Sequence, residues 1–214
     1  MIGYLDNQVG EMIQLLKNLE KYENTLFMFT SDNGPTYNGG TDSPWFNSAG
    51  QFNETQGWAK GYLHEGGIRV PMIASWPGKI EPGSTSDHPS VFYDLFPTLC
   101  EIAGIDPGTE TDGISFLPSL LGQEQATHEY LFWEFPSYSG QQAVRMENWK
   151  GIRKNILKGN LEIELYDLNK DIREENNVAE QNPEIVERMR QIMEKEHQQA
   201  ELERFRMEAL GDNK

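Results

Sequence analysis

The sequence predicts an α/β protein with a small antiparallel sheet packed on a C-terminal helix. Three observations predict it. Up to Gly104 the pattern runs helix, strand, long loop, strand, helix. From about residue 128 it changes to short strand-like runs joined by short turns. A capped, amphipathic stretch then begins at Asn182. This order implies an α/β portion over 1–125 and a smaller subdomain over 126–214.

Each element has a local cause. Leu5, Val9, Met12, Ile13, Leu16 and Leu19 recur at helical spacing, so residues 5–20 read as an amphipathic helix. Thr25–Thr30 is a β-branched and aromatic run, read as a buried strand. Residues 31–60 are rich in Gly, Asn and Ser, and a loop of this length in a compact domain is usually functional or disordered. Val70–Trp76 reads as a second strand, stopped by Pro77-Gly78. Val91–Ala103 reads as a helix, with Ser90 as its N-cap and Gly104 as its stop.

Tyr130–Phe135, Gln142–Arg153 and Leu161–Leu168 read as the strands of the second part. Asn182, Pro183 and Glu184 supply a cap, a first-turn proline and a first-turn acid for the last helix. Ile185, Val186, Met189, Ile192 and Met193 form its apolar stripe. Beyond His197 the helix is expected to continue, more charged, and to fray or project.

Composition removes several function classes. The net charge is −16, and residues 161–214 hold 15 Asp/Glu against 8 Lys/Arg. Such a surface repels phosphate backbones, so nucleic acid is not an expected partner. No apolar run approaches the roughly 18 residues of a membrane span. No basic segment followed by an apolar stretch opens the chain, so no signal peptide is read there. The single cysteine, Cys100, stands in an apolar run and is expected to be a buried structural thiol.

Two stretches carry candidate chemistry. In "TSDNGPT", Asp32 and Asn33 follow the first strand, where open α/β sheets bind ligands. Their hard oxygens suit Ca²⁺ or Mg²⁺. An Asx turn closed by Gly34 accounts for the same residues without a metal. In "WAKGYLHEGGIRVP", Lys60 is a compact cation able to hold one oxygen of an anion, or a solvated side chain. Glu65 and Arg69, four apart, are expected to pair and lock the loop. Gly66-Gly67 permits positive φ and close backbone approach. His64 is a surface residue or a proton donor, and spacing does not decide between them.

Taken together, "TLFMFTSDNGP", then "AKGYLHEGGIRVPMIASWPGKI", then "DLFPTLCEIAGI", resemble the formylglycine-dependent sulfatases of the alkaline phosphatase superfamily. "FWEF", "QQAVRMENWKGIR" and "ELYDLNKDIREENNVA" resemble the C-terminal subdomain of such enzymes. The resemblance covers nearly the whole chain and implies the C-terminal portion of an alkaline-phosphatase-like sulfatase fold. It implies that Asp32 and Asn33 ligate one calcium ion, supplying half of its ligands. It implies that Lys60 is catalytic and contacts the sulfate and its leaving oxygen. Residues 38–42, including Asp42, and Trp45-Phe46 would border the substrate pocket, with His64 beside them. His64 lies where the family often has an aromatic, so the resemblance fixes no role for it. Asp42, Trp45 and Trp58 either form a sugar-binding wall or pack the loop.

The resemblance also implies what these residues lack. The family nucleophile lies in a Cys/Ser-x-Pro-x-Arg motif, which does not occur here. The family's other aspartates, its Arg and Lys near the nucleophile and its upstream His are absent too. The chain is therefore expected to be a fragment, inactive alone, that needs the missing N-terminal half carrying the formylglycine. Exposed apolar surface is expected where that half would pack. The implied substrate is a sulfated small molecule or sulfated carbohydrate, and the implied location is periplasmic or secreted. A phosphodiesterase-type hydrolase of the same superfamily and a non-catalytic binding module remain as alternatives.

Overall fold

The computed structural model describes residues 2–36, 40–53, 55 and 57–213. In chain order its elements are α1 (Ile2–Asn18), β1 (Phe27–Thr30), α2 (Ser43–Phe46), α3 (Glu65–Ile68), β2 (Met72–Ser75), α4 (Leu95–Ala103) and α5 (Leu117–Leu120). They are followed by β3 (Leu131–Phe135), β4 (Gln141–Met146), β5 (Trp149–Lys154), β6 (Ile163–Asp167) and α6 (Pro183–Glu196). The chain divides into two compact units. One comprises Met1–Thr30 with Met72–His128, the other Ser31–Pro71 with Glu129–Lys214. No helix among the described residues is long and apolar enough to cross a membrane.

In the first unit β1 and β2 pair antiparallel, with Phe27 opposite Ser75 and Thr30 opposite Met72. β1 is half-buried, not buried: Phe29 is 42% exposed. A two-stranded sheet lacks the neighbours needed to cover both faces. α1 forms over the predicted stripe, yet it buries no residue, and Leu15 and Leu19 are each 57% exposed. α4 starts differently from expectation. Ser90 is not its cap; a 3₁₀ turn over Phe92–Asp94 precedes it, and the Asp94 carboxylate accepts the Val91 amide at 2.9 Å. A carboxylate three residues into the turn satisfies the free amide better than a hydroxyl just before it. Gly104 ends α4 at φ 67°, as expected of a left-handed C-cap.

Asp94 also organises this unit. It is fully buried, and its Oδ1 accepts from the Ile114 amide at 2.9 Å and meets His128 Nε2 at 2.8 Å. Thr98 Oγ1 donates to the Asp94 carbonyl and accepts from the Phe116 amide. Cys100 is buried and free, in line with a structural thiol.

The second unit is layered. β3 to β6 form an antiparallel meander in sequence order. Period-two alternation gives the sheet two different faces. Val144, Met146, Ile163 and Leu165 meet Met189, Ile192 and Met193 of α6. Ala143, Ile152 and Tyr166 meet Leu63 on the other face, with Ile68 packed beside them. The predicted stripe of α6 is thus its buried face. Asn182 stands at the N-cap, but its side chain donates to the Val178 carbonyl instead of capping.

The helix does not run past His197. It ends at Glu196, and the tail folds back through two 3₁₀ turns that bury Met207. His197 holds the tail: Nδ1 meets Glu134 at 2.8 Å and Nε2 meets Asp212 at 3.0 Å. Burying Met207 and pairing His197 outweighs continuing a charged helix into water.

Candidate functional site

The candidate residues of the long loop lie in the second unit, built on three glycines. The Gly34 amide donates to the Gly67 carbonyl at 2.9 Å, and the Lys60 amide donates to the Pro35 carbonyl at 2.9 Å. These bonds tie the Asp32–Pro35 turn to both ends of the Lys60–Gly67 segment. Side chains would prevent it. A Cβ on Gly34 would lie 1.9 Å from the Gly66 oxygen, and one on Gly66 would lie 2.0 Å from the Asn53 oxygen. Close approach, not positive φ, is therefore why Gly66 and Gly67 are glycines here; neither is among the positive-φ residues.

The turn is not an Asx turn. The Gly34 amide is committed to Gly67, and Pro35 has no amide to offer Asn33. Ser31 Oγ instead donates to the Asn33 carbonyl at 2.8 Å, and Asn33 Nδ2 donates to the Gly34 carbonyl at 2.9 Å. Asn33 Oδ1 and the exposed Asp32 carboxylate accept no hydrogen bond among the described residues. One carboxylate and one amide oxygen therefore remain available. They fit a hard cation in kind but not in number, because Ca²⁺ takes about 6–8 oxygens. No group of three or more His, Cys, Asp or Glu suited to a metal occurs among the described residues.

The other predicted residues take varied positions. Lys60 is exposed, and its ammonium forms no ion pair among the described residues. Asp42 caps α2, accepting the Trp45 amide at 3.1 Å. Trp45 is 75% exposed and stands edge-on to Phe46. Asn38 and Gly39 of the expected pocket border lie outside the described residues. Trp58 turns inward: its Nε1 donates to the Glu174 carbonyl, and its ring lies 5.0 Å from that of His64. A cleft of about 570 Å³ opens beside the turn, lined by Asn33, Gly34, Phe52 and Pro71, with Arg69 as the one charged side chain among the described residues of its lining. Asp32, Lys60 and Trp45 are outside that lining.

His64 is fully buried, between Trp58 and Tyr166. Neither ring nitrogen meets a hydrogen-bond partner among the described residues. Burial, with Lys150 and Lys154 nearby, pushes its pKa down to about 2, so the ring is neutral.

Sequence reasoning found the Glu65–Arg69 pair, 3.2 Å apart, but missed what lies behind it. Lys150 of β5 is fully buried, and its Nζ donates to Glu65 Oε1 at 2.7 Å. Glu174 Oε2 accepts the Glu65 amide at 2.6 Å, and its Oε1 lies 3.6 Å from Lys150 Nζ. Burial alone would raise the Glu65 pKa, but the Lys150 ammonium outweighs it and pulls the value down to about 2. Burial wins at Glu174, pushed up to about 7. The signal was the register of "WKGIRK": alternation puts Lys150 on the same face as the buried Ile152.

Residues 54–200 match the family model described as N-sulphoglucosamine sulphohydrolase, C-terminal, and residues 1–105 match the model described as Sulfatase. The chain belongs to the sulfatase family. N-acetylgalactosamine-6-O-sulfatase of Bacteroides thetaiotaomicron is 29% identical over 91% of this sulfatase chain and 40% of its own length. Human arylsulfatase A is 33% identical over 88% of the chain and 41% of its own length. The chain thus spans about two fifths of the curated relatives it matches. Among solved structures, Ps i-CgsB in complex with k-i-k-neocarrahexaose superposes with a TM-score of 0.70 at 30% identity, covering 91% of this chain and 41% of that one. The fold is the C-terminal portion of the alkaline-phosphatase-like sulfatase architecture, with its small antiparallel sheet and C-terminal helix.

Proposed function

We propose that this chain supplies the metal-binding turn and one sulfate-binding cation of a sulfuric ester hydrolase. The observation that carries the reading is the pair of backbone bonds joining the Asp32–Asn33 turn to the Lys60–Gly67 segment. Those bonds hold on one scaffold a carboxylate, an amide oxygen and an ammonium that are uncommitted among the described residues. Asp32 and Asn33 would hold a calcium ion through those oxygens. When bound, the ion supplies positive charge that offsets charge on the sulfate oxygens. Lys60 donates to a sulfate oxygen and offsets charge on the departing alkoxide. Exposed Trp45 offers an aromatic face for a sugar ring, in keeping with a sulfated carbohydrate as the substrate class.

The nucleophile is assigned to sulfatase sequence outside these 214 residues, so the chain alone is inactive in this reading. Exposed apolar surface supports it: Tyr4 and Leu15 on α1, Leu19 just after it and Ile73 on β2 are each more than half exposed. A stable monomer rarely leaves such surface open. The rest of the sulfatase domain is the occupant proposed for it. The reading carries a periplasmic or secreted location with it.

The test replaces the matched C-terminal part of the Bacteroides N-acetylgalactosamine-6-O-sulfatase with this chain and measures sulfate release. A folded chimera should release sulfate, and Asp32→Ala or Lys60→Ala should each reduce the rate by about 100-fold or more. Faster release of phosphate from the matching phosphate ester would favour the phosphodiesterase reading instead.

A further inference from the structure

Lys150 lies far in sequence from the candidate site, yet a continuous set of short contacts joins them. Its Nζ donates to Glu65 Oε1 at 2.7 Å. Glu65 opens α3, the turn that includes Gly66 and Gly67. The Gly67 carbonyl accepts the Gly34 amide, next to Asn33. Glu174 closes the other side of Glu65 by accepting its amide, and holds a backbone φ of 55° to do so. A non-glycine residue in the left-handed region persists only where its surroundings fix it. A fully buried lysine is rare, and it is retained here against a large desolvation cost.

We infer that Lys150 is a positioning residue: through Glu65 and the Gly66-Gly67 turn it sets the place of the Asp32–Asn33 turn. The contact is suited to that task. Arg69 and Arg145 approach the other carboxylate oxygen of Glu65, at 3.2 and 3.8 Å, from partly exposed positions. Lys150 is the fully buried one of the three cations and makes the shortest contact, so with Arg145 of β4 it ties the turn to the β4–β5–β6 sheet. The inference deepens the proposed function and rests on that reading for its consequence, but not for its geometry.

Amide hydrogen exchange in the 214-residue chain tests it. In Lys150→Met the Gly34 amide should exchange at least about tenfold faster relative to the Val144 amide in β4. Equal acceleration at both sites, or none at Gly34, overturns the inference. If Lys150→Met does not fold, Glu65→Gln is judged by the same ratio, because it removes the same charge pairing with little change of shape. A Ca²⁺ titration followed at the Asp32 and Asn33 resonances separates the two claims. Selective opening of Gly34 with no response to Ca²⁺ in the unmodified chain keeps the positioning role and removes the metal reading. A response of equal affinity in the unmodified chain and in Lys150→Met removes the positioning role.

Discussion

The Gly34 amide donates to the Gly67 carbonyl at 2.9 Å, and the space between their strands of backbone admits no side chain. Everything proposed for the Asp32–Asn33 turn depends on this approach. Gly34→Ala places a methyl 1.9 Å from the Gly66 oxygen, a backbone atom that cannot rotate away. The expected loss is about 1–3 kcal/mol, read from the urea midpoint. An unchanged midpoint would mean that the turn sits elsewhere.

Asp94 should prove to be the polar centre of the first unit. Its carboxylate accepts two amides and meets His128, all within a buried site. Asp94→Asn removes the charge and presents an NH₂ where an acceptor is needed. It should cost about 2–3 kcal/mol in thermal or urea unfolding, because hydrogen bonds to a charged group are the strong ones.

Much of the fold was legible because its causes are local. The spacing from Leu5 to Leu19 marks α1, and Asn182-Pro183-Glu184 with the stripe to Met193 marks α6. What was not legible is what joins distant segments. Lys150 and Glu65 are 85 residues apart, and a lysine within a strand ordinarily reads as solvated. The return of the tail to His197 was hidden for the same reason, since charge content alone argues for projection. At the site, Asp32, Asn33 and Lys60 could be named from order and spacing. Burial of His64 and the inward bond of half-buried Trp58 could not, because loop residues carry no periodicity.

The His197 clasp predicts a pH dependence. Burial opposes its charge, but Glu134 and Asp212 outweigh that and raise its pKa above the usual 6.5. A group raised on folding stabilises fully below its unfolded pKa and loses that contribution as pH rises through the folded value. Glu174, raised by burial to about 7, acts in the same sense between about 4.5 and about 7. The melting temperature should therefore fall as pH rises from about 7 to about 8, above the range in which His64 and His88, lowered by burial, act in the opposite sense. His197→Gln should flatten the upper part of that decline. An identical slope in the variant would contradict the clasp.

The apolar surface of the first unit makes a prediction for solution behaviour. Leu15→Glu and Ile73→Glu alter exposed side chains. Stability should change by less than about 0.5 kcal/mol, while self-association measured by light scattering should fall. A marked loss of stability would show that these side chains are already covered within the chain.

The central claim is that Asp32 and Asn33 offer free oxygens to a hard cation. An NMR titration of the 214-residue chain with Ca²⁺ tests it most directly. The account predicts weak binding, with a dissociation constant of about 1 mM or above, because two or three protein oxygens fall short of a full shell. Shifts should centre on Asp32, Asn33 and Gly34 and vanish in Asp32→Ala. Shifts that persist in Asp32→Ala, or none at these residues up to about 50 mM Ca²⁺, would contradict it.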